Sequence, residues 1–365
     1  MNRKNFLLLL FAFAVSLTVF SGAEIKTEYQ AHQNTSSEAS TETPVFVESP
    51  RLQEVNQTNV SERKYATQPQ ERVIDAVKGT LFNGEISAAI YEADSLRPIY
   101  EQKVRQTRSP ASLTKLVTAS VALMYSNPDT IYTVGRELKL VASDSSVCEI
   151  QRGQQLTLYE LLNGLLLCSG NDAAYTIAVN VAREVSKTKL TDEEAVIYFC
   201  SLMNDFVKSL GAENSNFTTP DGYENTDQYT TAYDMALIAR SSINNPIISE
   251  ITSTAKKEVI ITSGEAFTWY NSNFFLHKEY KLYNPNVKGL KTGSTKKAGK
   301  CLISVAESDG KDYIVIVMGC ETNEQRYGYS NRLLDYIFPQ KNRYPIAPFR
   351  TKVSVLFYLF NNSIK

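Results

Sequence analysis

Two hairpin patterns, at opposite ends of the apolar part of the chain, constrain the fold most. Residues 84–104 contain two β-prone runs joined by a turn, and residues 300–321 repeat the arrangement around Asp309-Gly310, a strong turn signal. Helical periodicity fills the interval between them. The sequence therefore predicts an α+β fold, with one antiparallel sheet built from N- and C-terminal hairpins and packed against helices.

Helices are predicted wherever apolar residues recur at helical spacing. These segments are 158–167, 172–185, 192–210, 230–243 and a closing one at 323–338. Another helix is predicted to run through Met124, with Ser109 as its cap and Pro110 in its first turn. All of them lie between or after the two hairpins, where they can cover the sheet.

The N-terminal part of the chain differs in composition from the rest. Residues 1–23 have a basic start, an apolar run and small residues at the end, which is typical of a signal peptide. An uncleaved membrane anchor is the alternative, although the apolar run of 15 residues is shorter than the roughly 20 that span a bilayer. Residues 24–70 are polar and poor in large apolar side chains, which predicts a disordered linker. We expect an exported protein.

The folded domain is predicted to cover residues 71–345, followed by a short tail at 346–365. The tail contains an apolar run at 352–360 that is too short to span a bilayer and alternates poorly for an amphipathic helix. An edge strand and a weak interfacial contact fit it equally well. Membrane contact is therefore left open by the sequence.

Charge and ligand-type residues exclude several function classes. With 38 basic against 39 acidic residues, the chain has no global field that favours nucleic acid. The five cysteines are an odd number without zinc-knuckle spacing, which favours buried thiols over a metal site. Only two histidines occur, His32 and His277. This small number disfavours both a Ser-His-Asp triad and a two-histidine zinc site. No metal and no cofactor are predicted.

A Ser-x-x-Lys pattern at Ser112 and Lys115 is the first candidate for chemistry. The pattern occurs six times in the chain, but only here does it open an apolar helix, where the two side chains share a face. A neutral lysine beside a serine can accept the hydroxyl proton, which activates the serine when no histidine is available. The alternative is that both are ordinary first-turn residues.

Two further motifs follow in order. Ser169-Gly170-Asn171 ends an apolar helix 57 residues after Ser112, and Lys291-Thr292-Gly293 lies just ahead of the last hairpin, 120 residues after Asn171. Taken singly, the first could be a helix C-cap formed by Gly170 and the second a strand-end turn. The ordered set of three is much harder to assign to chance.

With these motifs the sequence resembles the penicillin-recognising serine enzymes, whose Ser-x-x-Lys, Ser-x-Asn and Lys-Thr-Gly elements it contains in the same order. It is most similar to the low-molecular-weight D-alanyl-D-alanine carboxypeptidases, peptidase family S11. The stretches that carry the resemblance are "PASLTKLVTA", "LLNGLLLCSGNDAA", "TTAYDMALIAR" and "GLKTGSTKKAGKCLISVA". The resemblance covers residues 84–338 and implies a β-lactamase/transpeptidase-like fold.

The resemblance also implies catalytic roles. Ser112 matches the acylated serine, Lys115 its proton acceptor and Ser169 a hydroxyl that relays a proton. Partial burial and the second cation at Lys291 are expected to lower the pKa of Lys115, as a base requires. No cofactor is implied.

Substrate-binding roles follow in the same way. Asn171 would position the substrate amide, while Lys291 and Thr292 would hold the terminal carboxylate of a peptidoglycan stem peptide that ends in D-Ala-D-Ala. Gly293 would let the substrate backbone lie against the strand. The backbone N–H groups of Ser112 and Ser294 would form the oxyanion hole. β-Lactams are expected as covalent inhibitors.

Three other functions remain open at this point. A β-lactamase shares the three motifs, but the Glu-x-x-Leu-Asn loop expected of the class A type is missing between Asn171 and Lys291. A D,D-endopeptidase would use the same residues. A non-catalytic wall-binding sensor needs no nucleophile, so intact Ser112 and Lys115 disfavour it.

Overall fold

The computed structural model describes residue 82 and residues 84–338. The predicted signal peptide, the linker at 24–70 and the tail at 346–365 lie outside these residues. The described residues form nine strands: β1 (Ser87–Glu92), β2 (Pro98–Gln102), β3 (Ile131–Thr133), β4 (Gln155–Thr157), β5 (Lys256–Ile260), β6 (Ala266–Tyr270), β7 (Val287–Thr295), β8 (Gly299–Ser308) and β9 (Lys311–Cys320). The α-helices in the same part of the chain are α1 (Lys115–Tyr125), α2 (Leu158–Leu166), α3 (Asn171–Ser186), α4 (Asp192–Ser209), α5 (Ala232–Ile243), α6 (Pro246–Ser253) and α7 (Asn323–Leu334).

The main sheet contains five antiparallel strands in the order β2-β1-β9-β8-β7. Strand β1 pairs with β9 from Ser87 opposite Met318 to Glu92 opposite Tyr313, so the first hairpin joins directly onto the last. This arrangement confirms the predicted α+β fold with a sheet assembled from both ends of the domain. Strand β7 carries the Lys-Thr-Gly motif and lies at the edge of the sheet, where one side of its backbone has no strand partner.

Both faces of the sheet are buried. Along β9, Ile314 and Ile316 pack into one apolar cluster with α1 to α6, whereas Val315 and Val317 pack into a second cluster with Tyr327 of α7. The side chains of adjacent strand residues point to opposite faces of the sheet, so β9 contributes residues to both clusters. Helix α1 is buried along residues 115–122, which makes it a central helix rather than a surface one.

The predicted helix starts agree with the structure where capping residues are present. Thr157 with Glu160, and Thr191 with Glu194, form reciprocal capping boxes at the N-termini of α2 and α4. The two-stranded sheets β3–β4 and β5–β6 and helix α6 were not predicted, since each element is too short to show a clear apolar period.

The predicted start of α1 is wrong. Ser109 does not cap the helix, and Pro110 precedes a 3₁₀ turn at Ala111–Thr114 that leads into α1. Ala111 has φ +48°, outside the right-handed helical region, so a continuous helix cannot pass through this position. As a result, Ser112 lies in the 3₁₀ turn and Lys115 is the first residue of the α-helix.

None of the helices within residues 84–338 combines the length and apolar character required to cross a membrane.

Candidate active site

Ser112 and Lys115 lie side by side. The turn that carries Ser112 is anchored by Leu113, which is fully buried, and leaves the serine side chain partly exposed. Lys115 Nζ donates a hydrogen bond to Ser112 Oγ at 2.9 Å. The pattern of serine and lysine three residues apart therefore brings the nucleophile-type and base-type groups into direct contact.

Lys115 is fully buried and makes three hydrogen bonds. Besides Ser112 Oγ, its ammonium group donates to Asn171 Oδ1 at 2.7 Å and to the main-chain oxygen of Asp221 at 2.8 Å. Burial lowers the pKa of Lys115 to about 8, while the carboxylates of Asp221 and Asp172 oppose this shift. Roughly a tenth of Lys115 is therefore neutral at pH 7, and the neutral fraction grows as the pH approaches 8.

The turn at Ser169-Gly170-Asn171 lies against this lysine through Asn171. Gly170 is the N-cap of α3 rather than the C-cap of α2, which corrects that alternative, and its N–H donates to the oxygen of Gly164 at 3.1 Å. Asn171 N–H donates to the oxygen of Ser146 at 2.8 Å. Ser169 has φ +63°, and its buried Oγ has no hydrogen-bond partner among the described residues. Ser169 is therefore next to Asn171 in the chain, but its hydroxyl is buried and makes no contact with Lys115 among the described hydrogen bonds.

Lys291 and Thr292 lie on the edge strand β7. Lys291 is almost fully buried, and its Nζ donates to the main-chain oxygen of Thr292 at 3.2 Å. Burial first, and then repulsion from Lys115, lowers the pKa of Lys291 well below its ordinary value. Repulsion between the two lysines therefore contributes to the lowered pKa of Lys291, whereas the lowered pKa of Lys115 is caused by burial. Thr292 Oγ1 lies 2.6 Å from Ser272 Oγ.

Gly293 lets β7 approach the turn that carries Ser112. A Cβ at this position would lie 3.2 Å from Ala111 Cβ, 3.3 Å from Leu113 Cγ and 3.3 Å from the oxygen of Pro110. The missing side chain thus allows close packing between the strand and the turn that carries Ser112. The next residue, Ser294, is exposed, and its Oγ accepts a hydrogen bond from Lys300 Nζ at 2.6 Å.

A cavity of about 930 Å³ opens above these groups. Ser112, Asn171 and Ser294 lie in its wall. Its rim includes Asp144 and Tyr223, whose hydroxyl donates to Asp144 Oδ1 at 2.7 Å. The cavity is large enough for the end of a peptide and reaches the serine and the exposed end of β7 together.

Asp221 and Gly222 belong to the site but were missed in the sequence. Gly222 has φ +81°, and a Cβ there would lie 1.9 Å from the oxygen of Ala111. Because Gly222 has no side chain, the segment whose Asp221 oxygen contacts Lys115 can pack directly against the turn that carries Ser112. The dipeptide Asp-Gly after Pro220 signals a turn, but nothing in it indicates contact with a lysine 106 residues away.

Arg326 was also missed. It is buried, and its Nη1 donates to the oxygens of Gly293 at 3.4 Å and Cys301 at 3.2 Å, which ties α7 to the end of β7. Within the described part of the chain, no cluster of three or more His, Cys, Asp or Glu could hold a metal ion.

Comparison with known proteins is consistent with this geometry. The sequence profile of the Peptidase_S11 family, described as D-alanyl-D-alanine carboxypeptidase, matches residues 84–322. D-alanyl-D-alanine carboxypeptidase DacF of Bacillus subtilis is 28% identical over 263 residues, which cover 71% of this chain and 64% of the relative. The D-alanyl-D-alanine carboxypeptidase of Streptomyces sp. strain K15 is 30% identical over 249 residues, which cover 66% of this chain and 82% of the relative. This chain thus spans less than two thirds of the Bacillus relative's length.

Solved structures are similar as well. The crystal structure of the Streptomyces K15 DD-transpeptidase matches with a TM-score of 0.62 and 28% identity, covering 68% of this chain and 95% of that one. The D-alanyl-D-alanine carboxypeptidase of Mycobacterium tuberculosis, at 24% identity and a TM-score of 0.59, covers 70% of this chain and 92% of that one and supports the fold alone. These matches confirm the predicted transpeptidase-like fold.

Proposed function

Because the chain belongs to peptidase family S11, the D-alanyl-D-alanine carboxypeptidases, we propose that it removes the terminal D-alanine from peptidoglycan stem pentapeptides through an acyl-enzyme on Ser112. One observation carries the proposal: the buried Nζ of Lys115 lies 2.9 Å from Ser112 Oγ and 2.7 Å from Asn171 Oδ1. These contacts, together with the lowered pKa of Lys115, support its role as the acceptor of the serine proton.

Acylation begins with neutral Lys115. As its Nζ takes the proton, Ser112 Oγ attacks the carbonyl carbon of the penultimate D-alanine and forms a tetrahedral intermediate. Ser112 and Ser294 both line the cavity, and their backbone N–H groups would stabilise the oxyanion. The C–N bond then breaks, and the departing D-alanine amine takes the proton from Lys115, with the unpartnered hydroxyl of Ser169 as the relay.

Hydrolysis of the ester completes the cycle. A water molecule gives one proton to Lys115 and adds its oxygen to the acyl carbon, after which the ester bond breaks and Ser112 Oγ recovers the proton. The products are a stem tetrapeptide and free D-alanine.

Substrate binding would use the other face of the site. Asn171 Oδ1 is occupied by Lys115, so its Nδ2 is left to donate to a substrate carbonyl. Among the described residues, Lys291 Nζ makes one hydrogen bond, to a main-chain oxygen, and an ammonium group can donate three. A substrate carboxylate beside Lys291 and the hydroxyl of Thr292 would therefore gain charge-assisted hydrogen bonds.

The proposed function also fits the predicted organisation of the chain. The proposed substrate, a stem peptide that ends in D-Ala-D-Ala, is part of the cell wall outside the cytoplasm. A signal peptide at 1–23 would export the chain, and a polar linker at 24–70 would let the domain at 71–345 reach this substrate.

The proposal is tested by measuring D-alanine release from a synthetic peptide ending in D-Ala-D-Ala. The native protein should release D-alanine, and Ser112→Ala and Lys115→Arg should each lose it by about 10³-fold or more, because arginine cannot give up its proton. Ser186 and Lys189 form another Ser-x-x-Lys at the end of α3 and provide the matched controls Ser186→Ala and Lys189→Arg. Near-normal turnover of Lys115→Arg, with native circular dichroism, would refute the lysine-base mechanism.

A further inference from the structure

Two cysteines meet beside the turn that carries Ser169 and Asn171. Cys168 immediately precedes Ser169, and its Sγ donates to the oxygen of Gly164 at 3.2 Å. Cys148 belongs to the loop ahead of β4, and its Sγ lies 3.2 Å from Asp172 Oδ1. Both sulfur atoms lie beside Gly164, because Cys168 Sγ contacts its oxygen and a Cβ at this glycine would lie 2.7 Å from Cys148 Sγ. The chain therefore brings together two sulfur atoms that are 20 residues apart in sequence.

Two glycines make room for this contact. A Cβ at Gly164 would lie 2.7 Å from Cys148 Sγ, and a Cβ at Gly170 would lie 2.9 Å from the same atom. Neither glycine has a positive φ, so the backbone conformation does not require glycine at either position. The space they leave is filled by the sulfur of Cys148, which is held against the end of α2 and the start of α3.

The remaining cysteines do not form a comparable pair. Cys301 and Cys320 lie on neighbouring strands, but Cys301 packs into the apolar cluster on one face of the sheet and Cys320 into the cluster on the other. Their side chains point to opposite faces, which prevents a bond without movement of the backbone. Cys200 lies on α4.

We propose that Cys148 and Cys168 are a disulfide-forming site, and that the bond fastens the loop ahead of β4 to the turn that carries Ser169 and Asn171. Formation of the bond depends on the two cysteines alone. That the stabilised turn belongs to an active site rests on the proposed function. Export, as predicted from the sequence, would bring the thiols to an oxidising environment.

The oxidant is a low-molecular-weight or protein disulfide. Cys168 is only partly buried, so its thiolate attacks one sulfur of the oxidant, and the first oxidant thiolate leaves. Cys148, whose pKa is raised by burial, then attacks Cys168 Sγ, and its proton passes to the second departing thiolate. The protein loses two hydrogens and the oxidant becomes two thiols.

The bond would stabilise the position of the turn that carries Ser169 and Asn171 rather than change the activity. Asn171 N–H already binds the oxygen of Ser146, and Asp172 already accepts from the N–H groups of Cys148 and Ile150. A covalent bond at Cys148 would strengthen a connection that exists in the reduced protein. We therefore expect the oxidised protein to keep its turnover and to unfold at a higher temperature.

Peptide mapping tests the bond directly. The full-length protein is equilibrated in oxidised and reduced glutathione, free thiols are alkylated, and the protein is digested with trypsin without reduction. The expected product links peptides 140–152 and 153–183, which trypsin separates after Arg152. Oxidation should raise Tm by about 6 °C relative to the reduced protein, from the cross-linking of a loop of about 20 residues.

Cys168→Ser should lose both the linked peptide and the effect of oxidation on Tm, whereas the control Cys200→Ala should keep them. Alkylated Cys168 without a linked peptide, or a link to another cysteine, would overturn the proposal. Loss of D-alanine release on oxidation would overturn the fastening role. Because the mapping needs no turnover, a negative result in the assay of the proposed function leaves this test intact.

Discussion

The main-chain oxygen of Asp221 lies 2.8 Å from Lys115 Nζ, and the carboxylate of the same residue is buried nearby. One carboxylate oxygen, Oδ1, accepts the N–H of Tyr223 at 3.0 Å, while Oδ2 has no hydrogen-bond partner among the described residues. A buried negative charge beside the lysine favours its protonated form, so Asp221 both positions Lys115 and opposes its deprotonation.

Replacing Asp221 with Asn should therefore lower the pKa of Lys115, by about one unit. Lys115 must be neutral to accept the serine proton, so activity rises as pH increases through its pKa, which is about 8 in the native protein. The acidic limb of the kcat/KM profile should move to lower pH in Asp221→Asn. Other charged groups near Lys115, namely Asp172, Lys291 and the thiols of Cys148 and Cys168, stay in place.

Asp227→Asn is the matched control, because Asp227 is exposed on the same loop. Its profile should coincide with that of the native protein. An Asp221→Asn profile that falls in height without moving along the pH axis would contradict the electrostatic role and indicate a structural one.

Gly222→Ala should destabilise the fold and remove activity. The new Cβ would lie 1.9 Å from the oxygen of Ala111, in addition to the cost of φ +81°. Gly211→Ala separates the two effects, since Gly211 has φ +82° but nothing within 4 Å of its Cβ position. Urea denaturation should show a loss of about 1–2 kcal/mol for Gly211→Ala and at least about 3 kcal/mol for Gly222→Ala. Equal losses would mean that the contact with the turn that carries Ser112 is unimportant.

Lys291→Met should stabilise the protein, by about 1 kcal/mol, while weakening recognition of the substrate carboxylate. Lys291 is a buried cation whose pKa in the fold lies well below the ordinary 10.5. Between these two pKa values the unfolded chain binds the extra proton, so this residue makes stability rise with pH from the folded pKa to the unfolded pKa and adds no pH dependence outside that window. The Lys291→Met variant should lose this contribution to the pH dependence of the free energy of unfolding.

Denaturation curves at several pH values, with KM for free-acid and amidated peptides, check both effects of Lys291→Met. Lys311→Met, at a site 62% exposed, should leave both quantities near native values. Equal turnover of amidated and free-acid peptides by the native protein would argue against a carboxylate contact at Lys291.

Penicillin should acylate Ser112 and remain attached. The lactam carbonyl would meet the same serine, base and oxyanion donors as the peptide, but residues 172–290 lack the Glu-x-x-Leu-Asn element that class A β-lactamases use to activate a deacylating water. Intact-protein mass spectrometry after brief exposure, followed by peptide mapping, should show one adduct on Ser112. Rapid loss of the adduct with continued penicillin consumption would instead favour a β-lactamase.

The three motifs and the two terminal hairpins could be predicted because each is local: a few neighbouring residues carry the signal. The contact of Asp221 with Lys115 could not, since it joins residues 106 positions apart through a main-chain oxygen, which any residue type possesses. The start of α1 was misplaced because Ala111 has a positive φ, which alanine does not favour and which no neighbouring residue in the sequence signals; Gly222 and Gly293, which lie against it, are more than 100 residues away.

The three acceptors of Lys115 lie 3, 56 and 106 residues along the chain from it. Contacts of such different sequence separation do not form together from a partly ordered chain, since the longest requires closure of the largest loop. Competence to react with penicillin is therefore a property of the completed tertiary structure and works as an intrinsic reporter of it. Labelling of Ser112 during refolding should lag behind the recovery of helical circular dichroism, so a penicillin-reactive fraction measures how much of a preparation is native.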